Sequence, residues 1–428
     1  MIGEFILPVV ADPYYGVEWD TNNPNPVVTR IGNLNYHKTL PLQNKMKACL
    51  VLSGGTVNYW LNPTDWTKKL DNSASKLNGD DGNVMIYIPQ HYIRFESDSN
   101  GFTRRVKLSE SPLTGYTLVN ASYVGAYEAS LNRTTNKLAS LINTGTIYRG
   151  GDNTNWDGTY RTLLGKPCTS KSKIDFRTYA RNNNVGNNNW NILPYHIYKS
   201  IFWFYIVEYA NRNSQAAVIT GLTTQGFKQG GLGNGVTTLV SGQWNTYNSY
   251  NPLVPCGASN SLGNYSGEVI YGIPSYPTTG TSFTNVTVPR YRGIENIFGH
   301  IWKWEDGIVF NVTASNSEIW TTTNPLYFTD NTSNKTNVGN MARVDGYVSN
   351  ILFSTNGEII TSVGGTVGGS SSTFWCDYFV ETTTVGIYAL FVGGVADNGA
   401  YAGLVYCVTS YGAGSTVTSI GSRLCLLT

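Results

Sequence analysis

The segment spanning residues 291–307, YRGIENIFGHIWKWEDG, concentrates side chains that could do chemistry. Charged residues make up only 13% of the chain and there are four histidines in all, yet one histidine and five charged residues lie here among two tryptophans. Carboxylates beside a histidine are the groups used in acid–base catalysis and in metal binding. Either use requires the fold to bring these groups together, which their spacing along the chain does not specify.

The histidines give no sign of a catalytic or metal site. His37, His91, His196 and His300 stand neither at the HExxH spacing nor beside a cysteine pair. A histidine among aromatic neighbours is more often a hydrogen-bonded scaffold residue than a ligand. The chain also lacks the GxSxG motif of a hydrolase nucleophile. A Ser–His–Asp triad stays open, because its members need not be adjacent in the sequence. We predict no catalytic residue, no metal ligand and no enzymatic activity.

The six cysteines are scattered, and none forms a CxxC pair. Zinc ribbons and thioredoxin-like redox sites are therefore disfavoured. Because nothing in the sequence indicates secretion, buried thiols are the favoured interpretation. A disulfide among Cys376, Cys407 and Cys425 is the less favoured alternative.

Two acidic pairs, Asp80-Asp81 and Glu305-Asp306, offer carboxylates for a glycosidase or oxygen ligands for calcium. Aspartate followed by glycine also favours a turn, and a turn is the favoured interpretation of Asp80-Asp81. No cofactor is predicted, with a structural calcium ion left open as an alternative.

The composition limits the class of protein. Among 428 residues, 46 are glycine, 41% are hydrophobic and 13% are aromatic, which indicates many short strands, turns and long ordered loops. The net charge is +2 and there is no basic block, so nucleic acid is not expected as a partner. No apolar run approaches the ~20 residues of a membrane span, so no membrane insertion is predicted. The N-terminus lacks the basic residues of a signal peptide, which predicts synthesis in the cytoplasm without one.

Periodicity predicts a few elements. GNVMIYIPQHYIRFES favours strands, NPTDWTKKL a short helix, residues 173–183 another, and residues 194–213 a longer helix with Pro194 in its first turn. Residues 1–45, rich in proline and asparagine, are expected to form an attachment arm. Residues 214–285 are expected to form an inserted loop region.

Three segments together resemble one family: GGTVNYWLNPTDW leading into GDDGNVMIYIPQHYIRF, then YVGAYEAS, then YRGIENIFGHIWKWEDG. Their order and wording are similar to the formylglycine-generating-enzyme-like, or sulfatase-modifying-factor-like, branch of the C-type lectin fold, in particular its phage tail-fibre members. The resemblance implies an α+β, C-type lectin-like fold over residues 46–428, with short strands, two helices and many long ordered loops. The cysteines are not embedded in the motif of the enzyme branch, so its oxidase activity is not implied.

The same resemblance implies that residues 291–307 are scaffold rather than an active site. In that interpretation apolar side chains of the segment pack in the core, while its polar side chains fix buried backbone and turns by hydrogen bonds. The signature residues of this scaffold are Arg292, Glu295, Asn296, Trp302, Trp304 and Asp306.

The C-terminal segment, residues 389–427, is similar to the variable region of proteins diversified by diversity-generating retroelements. The matching framework comprises Gly393-Gly394, Gly399, Ala402-Gly403 and residues 420–424. The resemblance implies that positions between these framework residues face outward and bind ligand. These positions are Val395, Ala396, Asp397, Asn398, Tyr401, Tyr406, Val408, Ser410 and Tyr411.

Together the resemblances imply a phage tail-fibre receptor-binding protein that recognises a bacterial surface glycan or protein by tyrosine stacking and polar hydrogen bonds. The expected partners are that receptor and, through residues 1–45, other tail-fibre or virion proteins. The expected assembly is a homotrimer located in the virion. Two alternatives stay open: a tailspike-like depolymerase of capsule polysaccharide, and a purely structural virion component.

Overall fold

The computed structural model describes residues 12–152, 154, 162–235, 253–274, 283–353, 356–358, 361–363 and 368–428. Of the described residues, strands account for 37% and helices for 12%. Within the described ranges the α-helices are α1 (Leu34–Thr39), α2 (Lys173–Arg181) and α3 (Tyr195–Tyr209). The predicted α+β, C-type lectin-like class is therefore wrong, because sheets rather than a balance of helices and strands build this β-rich protein.

A five-stranded antiparallel sheet contains the first strands among the described residues. Its members are β1 (Tyr15–Asp20), β2 (Thr29–Gly32), β6 (His91–Ser97), β7 (Thr103–Ser109) and β8 (Thr117–Val119), in the order β2-β1-β7-β6-β8. Tyr15 and Val17 of β1 are fully buried in the main hydrophobic core. From residue 12 onward the expected attachment arm is thus part of the folded body, and residues 1–11 lie outside the described residues.

A six-stranded sheet joins the C-terminal strand to distant parts of the chain. Its members are β3 (Ala48–Val51), β4 (Val57–Trp60), β5 (Asn83–Ile88), β9 (Ser122–Gly125), β12 (Trp190–Ile192) and β28 (Leu424–Leu427), in the order β12-β28-β9-β5-β3-β4. Strands β5 and β6 confirm the strand prediction for GNVMIYIPQHYIRFES.

The helix predicted for NPTDWTKKL is wrong, because residues 62–70 form turns and isolated bridges. The side chain of Asn62 accepts a hydrogen bond from the Thr64 N–H at 3.0 Å. The side chain of Asp65 accepts one from the Thr67 N–H at 3.1 Å. Such local side-chain-to-backbone bonds compete with helix formation.

A ten-stranded sheet occupies the C-terminal part. Its members are β18 (Trp302–Trp304), β19 (Ile308–Val312), β20 (Ser317–Thr321), β21 (Thr336–Met341), β22 (Gly346–Ile351), β23 (Thr361–Val363), β24 (Tyr378–Glu381), β25 (Gly386–Gly393), β26 (Gly403–Tyr411) and β27 (Ile420–Gly421). The order is β21-β20-β19-β25-β26-β24-β22-β23, with β18 pairing β25 and β27. Strand β26 is central, and all its residues from 403 to 409 are buried.

Short ribbons complete the described strands. They are β10 (Ser130–Asn132) with β11 (Lys137–Ala139), β13 (Val218–Ile219) with β14 (Gln229–Gly230), and β15 (Gly267–Pro274) with β16 (Phe283–Tyr291) and β17 (Ile294–Glu295). The expected loop region 214–285 therefore contains strand pairing in the parts of it that the structure describes.

Helix α3 runs through the main core. Its sequence is largely apolar around the whole helix, which is typical of a buried helix. Every residue except His196 and Lys199 is buried, including the polar Ser200 and Glu208. Trp203 stacks on Trp19 of β1 with ring centroids 6.0 Å apart. Helices α2 and α3 confirm the predictions for residues 173–183 and 194–213, whereas α1 is not indicated by the periodicity.

The six cysteines are free and buried, so the favoured prediction of buried thiols is confirmed over the disulfide alternative.

In the described part of the chain, no helix has both the length and the apolar character needed to cross a membrane.

Candidate ligand-binding surface

Three tyrosines from separate parts of the chain form an aromatic group at the surface, here called the tyrosine cluster: Tyr347, Tyr378 and Tyr401. The ring centroids of Tyr347 and Tyr378 are 5.2 Å apart. Tyr401 lies 5.4 Å from Tyr347 and 4.5 Å from Tyr378. These separations are those of favourable aromatic pairs. Each ring is therefore held by the other two.

Sheet register brings the cluster together. Strands β22 and β24 are antiparallel with Tyr347 opposite Tyr378, so both side chains lie on one face. Strand β24 runs parallel to β26, which places Tyr406 under the cluster with its ring 6.3 Å from that of Tyr378. Tyr406 in turn packs on Trp302 at 4.5 Å. The cluster thus rests on the aromatic interior of the ten-stranded sheet.

Exposure increases from the sheet outward. Tyr406 is 4% exposed and Tyr401 is 42% exposed, while Tyr347 and Tyr378 are half-buried. Burial raises the pKa of both Tyr347 and Tyr378, which keeps their phenols neutral at physiological pH. The cluster is therefore an uncharged surface that can stack on a ligand and also form hydrogen bonds through its hydroxyls.

A short turn after β25 holds Tyr401 over the other two rings. The Asn398 side chain accepts a hydrogen bond from the Val395 N–H at 2.7 Å, and the Tyr401 N–H donates to the Asn398 carbonyl at 3.0 Å. Gly394 has a φ of +91°, and a Cβ there would lie 2.8 Å from the Cβ of Ala402. Glycine is required at this close approach, and Asn398 shapes the turn.

The beginning of the 214–285 region braces this turn. Gln215 Nε2 donates hydrogen bonds to the carbonyl oxygens of Gly399, at 3.1 Å, and Ala402. The Leu404 N–H donates to Ser214 Oγ at 3.1 Å. A region that the sequence marks only as loop therefore supports the position of Tyr401.

The nine predicted ligand-binding positions divide by exposure. Four do not face outward, against the expectation, and are 9% exposed or less: Val395, Ala396, Tyr406 and Val408. Tyr406 and Val408 are buried because β26 is covered on both faces, so alternation along it does not turn every second side chain to solvent. Five reach solvent at least in part: Asp397, Asn398, Tyr401, Ser410 and Tyr411. Their role in ligand binding stays a prediction.

Tyr411 does not belong to the tyrosine cluster. It ends β26, and its ring packs against Phe391 with centroids 5.6 Å apart. At ~3.3 Å per residue, β26 spans roughly 26 Å from its first residue to Tyr411, so Tyr401 and Tyr411 lie at opposite ends of the strand. Sequence analysis does not identify Tyr347 and Tyr378 as site residues. They join Tyr401 only because β22, β24 and β26 pair in the sheet, and this pairing leaves no pattern in the sequence near either tyrosine.

The segment 291–307 lies in the interior. Glu295, which is 1% exposed, accepts hydrogen bonds from the N–H of Gly257 at 2.8 Å and from the N–H and hydroxyl of Ser259, both at 2.7 Å. Arg292 donates to both carboxylate oxygens of Glu208, at 3.0 and 2.6 Å. These side chains tie the segment to the 253–263 turn and to the end of α3.

The other signature residues are also held by protein groups. Asn296 is 1% exposed and is held by its backbone N–H, which donates to the carbonyl of residue 289 at 2.8 Å, whereas its side-chain Oδ1 has no hydrogen-bond partner among the described residues. Trp302 and Trp304 pack on Phe391 at 5.1 and 5.2 Å. Arg177 of α2 donates to both oxygens of fully buried Asp306, at 2.6 and 2.9 Å, and this positive charge lowers the pKa of Asp306 against the effect of burial.

Three of the histidines are scaffold residues. A ring nitrogen of His37, His91 and His300 lies 3.0, 2.9 and 2.8 Å from a backbone carbonyl oxygen, and burial lowers the pKa of each to about 4. Asp81 lies in a turn, and its Oδ2 accepts a hydrogen bond from the Tyr59 hydroxyl at 2.8 Å.

Within the described ranges, no group of three or more His, Cys, Asp or Glu side chains could hold a metal ion.

A buried carboxyl in β24, the strand that carries Tyr378, leads to a prediction of pH-dependent stability. Burial raises the pKa of Glu381, in β24, from its ordinary 4.5 to about 7, with Asp345 and Arg343 as nearby charges. The folded chain therefore keeps a proton that the unfolded chain has lost, so stability falls as the pH rises from about 5 to about 7. Relative to Glu381→Gln, we expect the wild-type free energy of unfolding to fall by up to about 3 kcal/mol over that range. The free energy of unfolding is measured by urea denaturation at each pH. If it changed with pH in the same way for the wild type and for Glu381→Gln, the prediction would be contradicted.

No protein-family model and no curated protein matches this chain. Among solved structures, the chain is similar to PvdO from Pseudomonas aeruginosa, at 10% identity and a TM-score of 0.33, over 82% of this chain and 96% of that one. It is also similar to the Major Tropism Determinant U1 variant, at 11% identity and a TM-score of 0.27, over 89% of this chain and 72% of that one. At these TM-scores neither likeness decides fold or function, and the formylglycine-generating-enzyme-like resemblance stays a prediction.

Proposed function

We propose that this protein is a receptor-binding protein of a phage tail fibre and that its tyrosine cluster recognises a bacterial surface ligand, either a glycan or a protein. The observation that supports this most is the preformed aromatic group of Tyr347, Tyr378 and half-exposed Tyr401. One member, Tyr401, lies in the segment whose sequence resembles variable, ligand-binding regions.

The chemistry of the surface suits a glycan or a polar protein loop. Tyrosine gives a large contact area at a low entropic cost, because it has few rotatable bonds to fix on binding. Here the rings already hold one another, so little further ordering is needed. Asp397 and Asp345 are exposed near the tyrosines. Burial is the main cause that raises the pKa of Tyr406 and of Tyr378, and the negative charge of Asp397 adds to it for Tyr406 and that of Asp345 for Tyr378. Both carboxylates are thus placed to accept hydrogen bonds from ligand hydroxyls.

The proposal extends to assembly and location. A homotrimer in the virion, joined to other tail-fibre or virion proteins through the region of residues 1–45, would present several clusters at once. Several weak sites on one particle convert modest affinity into firm attachment. In this proposal the protein binds its receptor without catalysing a reaction.

Binding and depolymerisation can be separated in one experiment on the purified full chain. We expect saturable binding to cells of some bacterial strains and not others, and no new reducing ends when the chain is incubated with capsule polysaccharide from the bound strains. New reducing ends would favour a depolymerase instead. Absence of binding to every strain in a broad panel would favour a purely structural virion component.

A further inference from the structure

A cleft of about 460 Å³ opens beside the start of α3, here called the α3 cleft. Its walls come from β6, β8, the first turns of α3, residues 321–325 and the C-terminal end of β28. The volume lies within the range of about 300–1,000 Å³ that small-molecule sites usually have. Within the described residues, none of the residues lining this cleft belongs to the tyrosine cluster.

The two polar side chains of α3 that are not buried both line this cleft. Every other residue of the helix is buried, and only His196 and Lys199 are not. Both lie in its first two turns and contribute to the cleft wall. A helix that runs through the core therefore presents its partly accessible polar groups at this one place.

A buried carboxylate gives the cleft its chemistry. Glu358 has a side chain only 1% exposed, and its Oε1 lies 3.1 Å from the ammonium group of Lys199. The Trp203 indole donates to the Gly357 carbonyl at 3.1 Å, which fixes the neighbouring backbone to α3. The second carboxylate oxygen, Oε2, has no hydrogen-bond partner among the described residues. This oxygen is almost inaccessible to solvent, so a ligand donor reaches it only when the side chain turns toward the cleft. An unmade hydrogen bond at a buried charged group is costly, which favours that turn when a donor is present.

His196 adds a second unsatisfied polar atom. Its Nδ1 has no hydrogen-bond partner among the described residues. Although part of His196 is accessible, the burial of most of its ring, with a smaller effect from Lys199, lowers its pKa to about 3, so the ring is neutral at physiological pH. Since Lys199 already balances the charge of Glu358, the cleft is close to neutral and offers hydrogen-bonding groups rather than a net charge.

We propose that the α3 cleft is a binding site for a neutral saccharide of one or two rings. When the side chains of Glu358 and His196 turn toward the cleft, sugar hydroxyls can donate to Glu358 Oε2 and exchange a hydrogen bond with His196 Nδ1. The threonines of the rim offer further hydroxyls. Phe95, Val119 and Leu427 line the same cleft and provide the apolar surface that covers the C–H face of a sugar ring. A cation would be a poorer occupant because Lys199 lies against the carboxylate.

This site is separate from the proposed receptor surface, so each can fail without the other. Ligand-observed saturation-transfer NMR, with D-glucose, D-galactose, N-acetyl-D-glucosamine and lactose tested singly at millimolar concentration, is expected to give a saturable signal for at least one sugar. Ala121 lines the cleft, and Ala121→Trp fills it without removing a polar partner. We expect this variant, with an unchanged melting temperature, to lose the signal, and Glu358→Gln to weaken binding at least tenfold.

Tyr401→Ala serves as the matched control, because it alters the other surface and should keep the sugar signal. The proposal is overturned if none of the four sugars gives a saturable signal with the wild-type chain. It is also overturned if folded Ala121→Trp binds the sugar as well as the wild type does.

Discussion

Replacing Glu295 by alanine should lower the free energy of unfolding by about 3–5 kcal/mol, the usual cost of removing one member of a buried charged network. The carboxylate accepts three hydrogen bonds from Gly257 and Ser259. Its Oε2 also lies 3.8 Å from Nη1 of Arg290, which is fully buried. The substitution leaves two backbone N–H groups without an acceptor in the interior. It also removes the nearby negative charge from the Arg290 guanidinium, which keeps its hydrogen bonds to the Gly263 carbonyl and the Ser259 hydroxyl. Urea denaturation should show a lower midpoint at an unchanged slope.

Glu110→Ala is the matched control for this prediction. Glu110 pairs with Lys45 at the surface, where both side chains are more than a third exposed, so its removal should cost less than about 1 kcal/mol. Equal effects of the two substitutions would remove the scaffold interpretation of residues 291–307. A folded, fully stable Glu295→Ala protein that has lost cell binding would place this segment in recognition instead.

Replacing Tyr401 by alanine should weaken binding of a single chain to receptor-bearing cells by about 2 kcal/mol, or roughly 30-fold in Kd, as expected for an aromatic hot spot. The ring is the most exposed of the cluster, and it touches both of the other two. Its removal deletes contact area and releases Tyr347 and Tyr378 from their packing. Stability should change little, because 42% of the residue is already exposed to solvent. Titration of labelled protein onto cells measures the change.

Tyr265→Ala controls for the loss of an exposed tyrosine elsewhere. Tyr265 is 58% exposed and precedes β15, outside the tyrosine cluster. We expect it to bind cells as the wild type does. If Tyr265→Ala and Tyr401→Ala weakened binding equally, the recognition surface would not be the tyrosine cluster.

Local pattern was enough to predict some of the elements. The alternation in β5 and β6 and the apolar run of α3 are dictated by neighbours in the chain, and these predictions are confirmed. The short helix expected at residues 62–70 fails because Asn62 and Asp65 bond to the backbone two residues on, a competition that periodicity does not weigh. The fold class fails because the sheets form by pairing strands far apart in sequence, such as β9 with β28.

The candidate site was predictable only in part for the same reason. Tyr401 is identified because it lies in a segment with a recognisable framework. Tyr347 and Tyr378 join it only through the register of β22 and β24. Tyr406 and Val408 are buried because β26 lies in the middle of a covered sheet, which no pattern within β26 reveals. Glu358 in the α3 cleft likewise has its role through Lys199, distant in sequence.

Oxidative footprinting of the tyrosines on receptor-bearing cells tests the central claim most directly. Free protein and cell-bound protein are exposed to the same brief oxidant pulse, and the modification of each tyrosine is read by mass spectrometry. We expect Tyr401, with Tyr347 and Tyr378, to lose reactivity on binding while exposed Tyr265 and Tyr327 keep theirs. Unchanged reactivity of the tyrosine cluster in bound protein, with protection at another surface, would contradict the account.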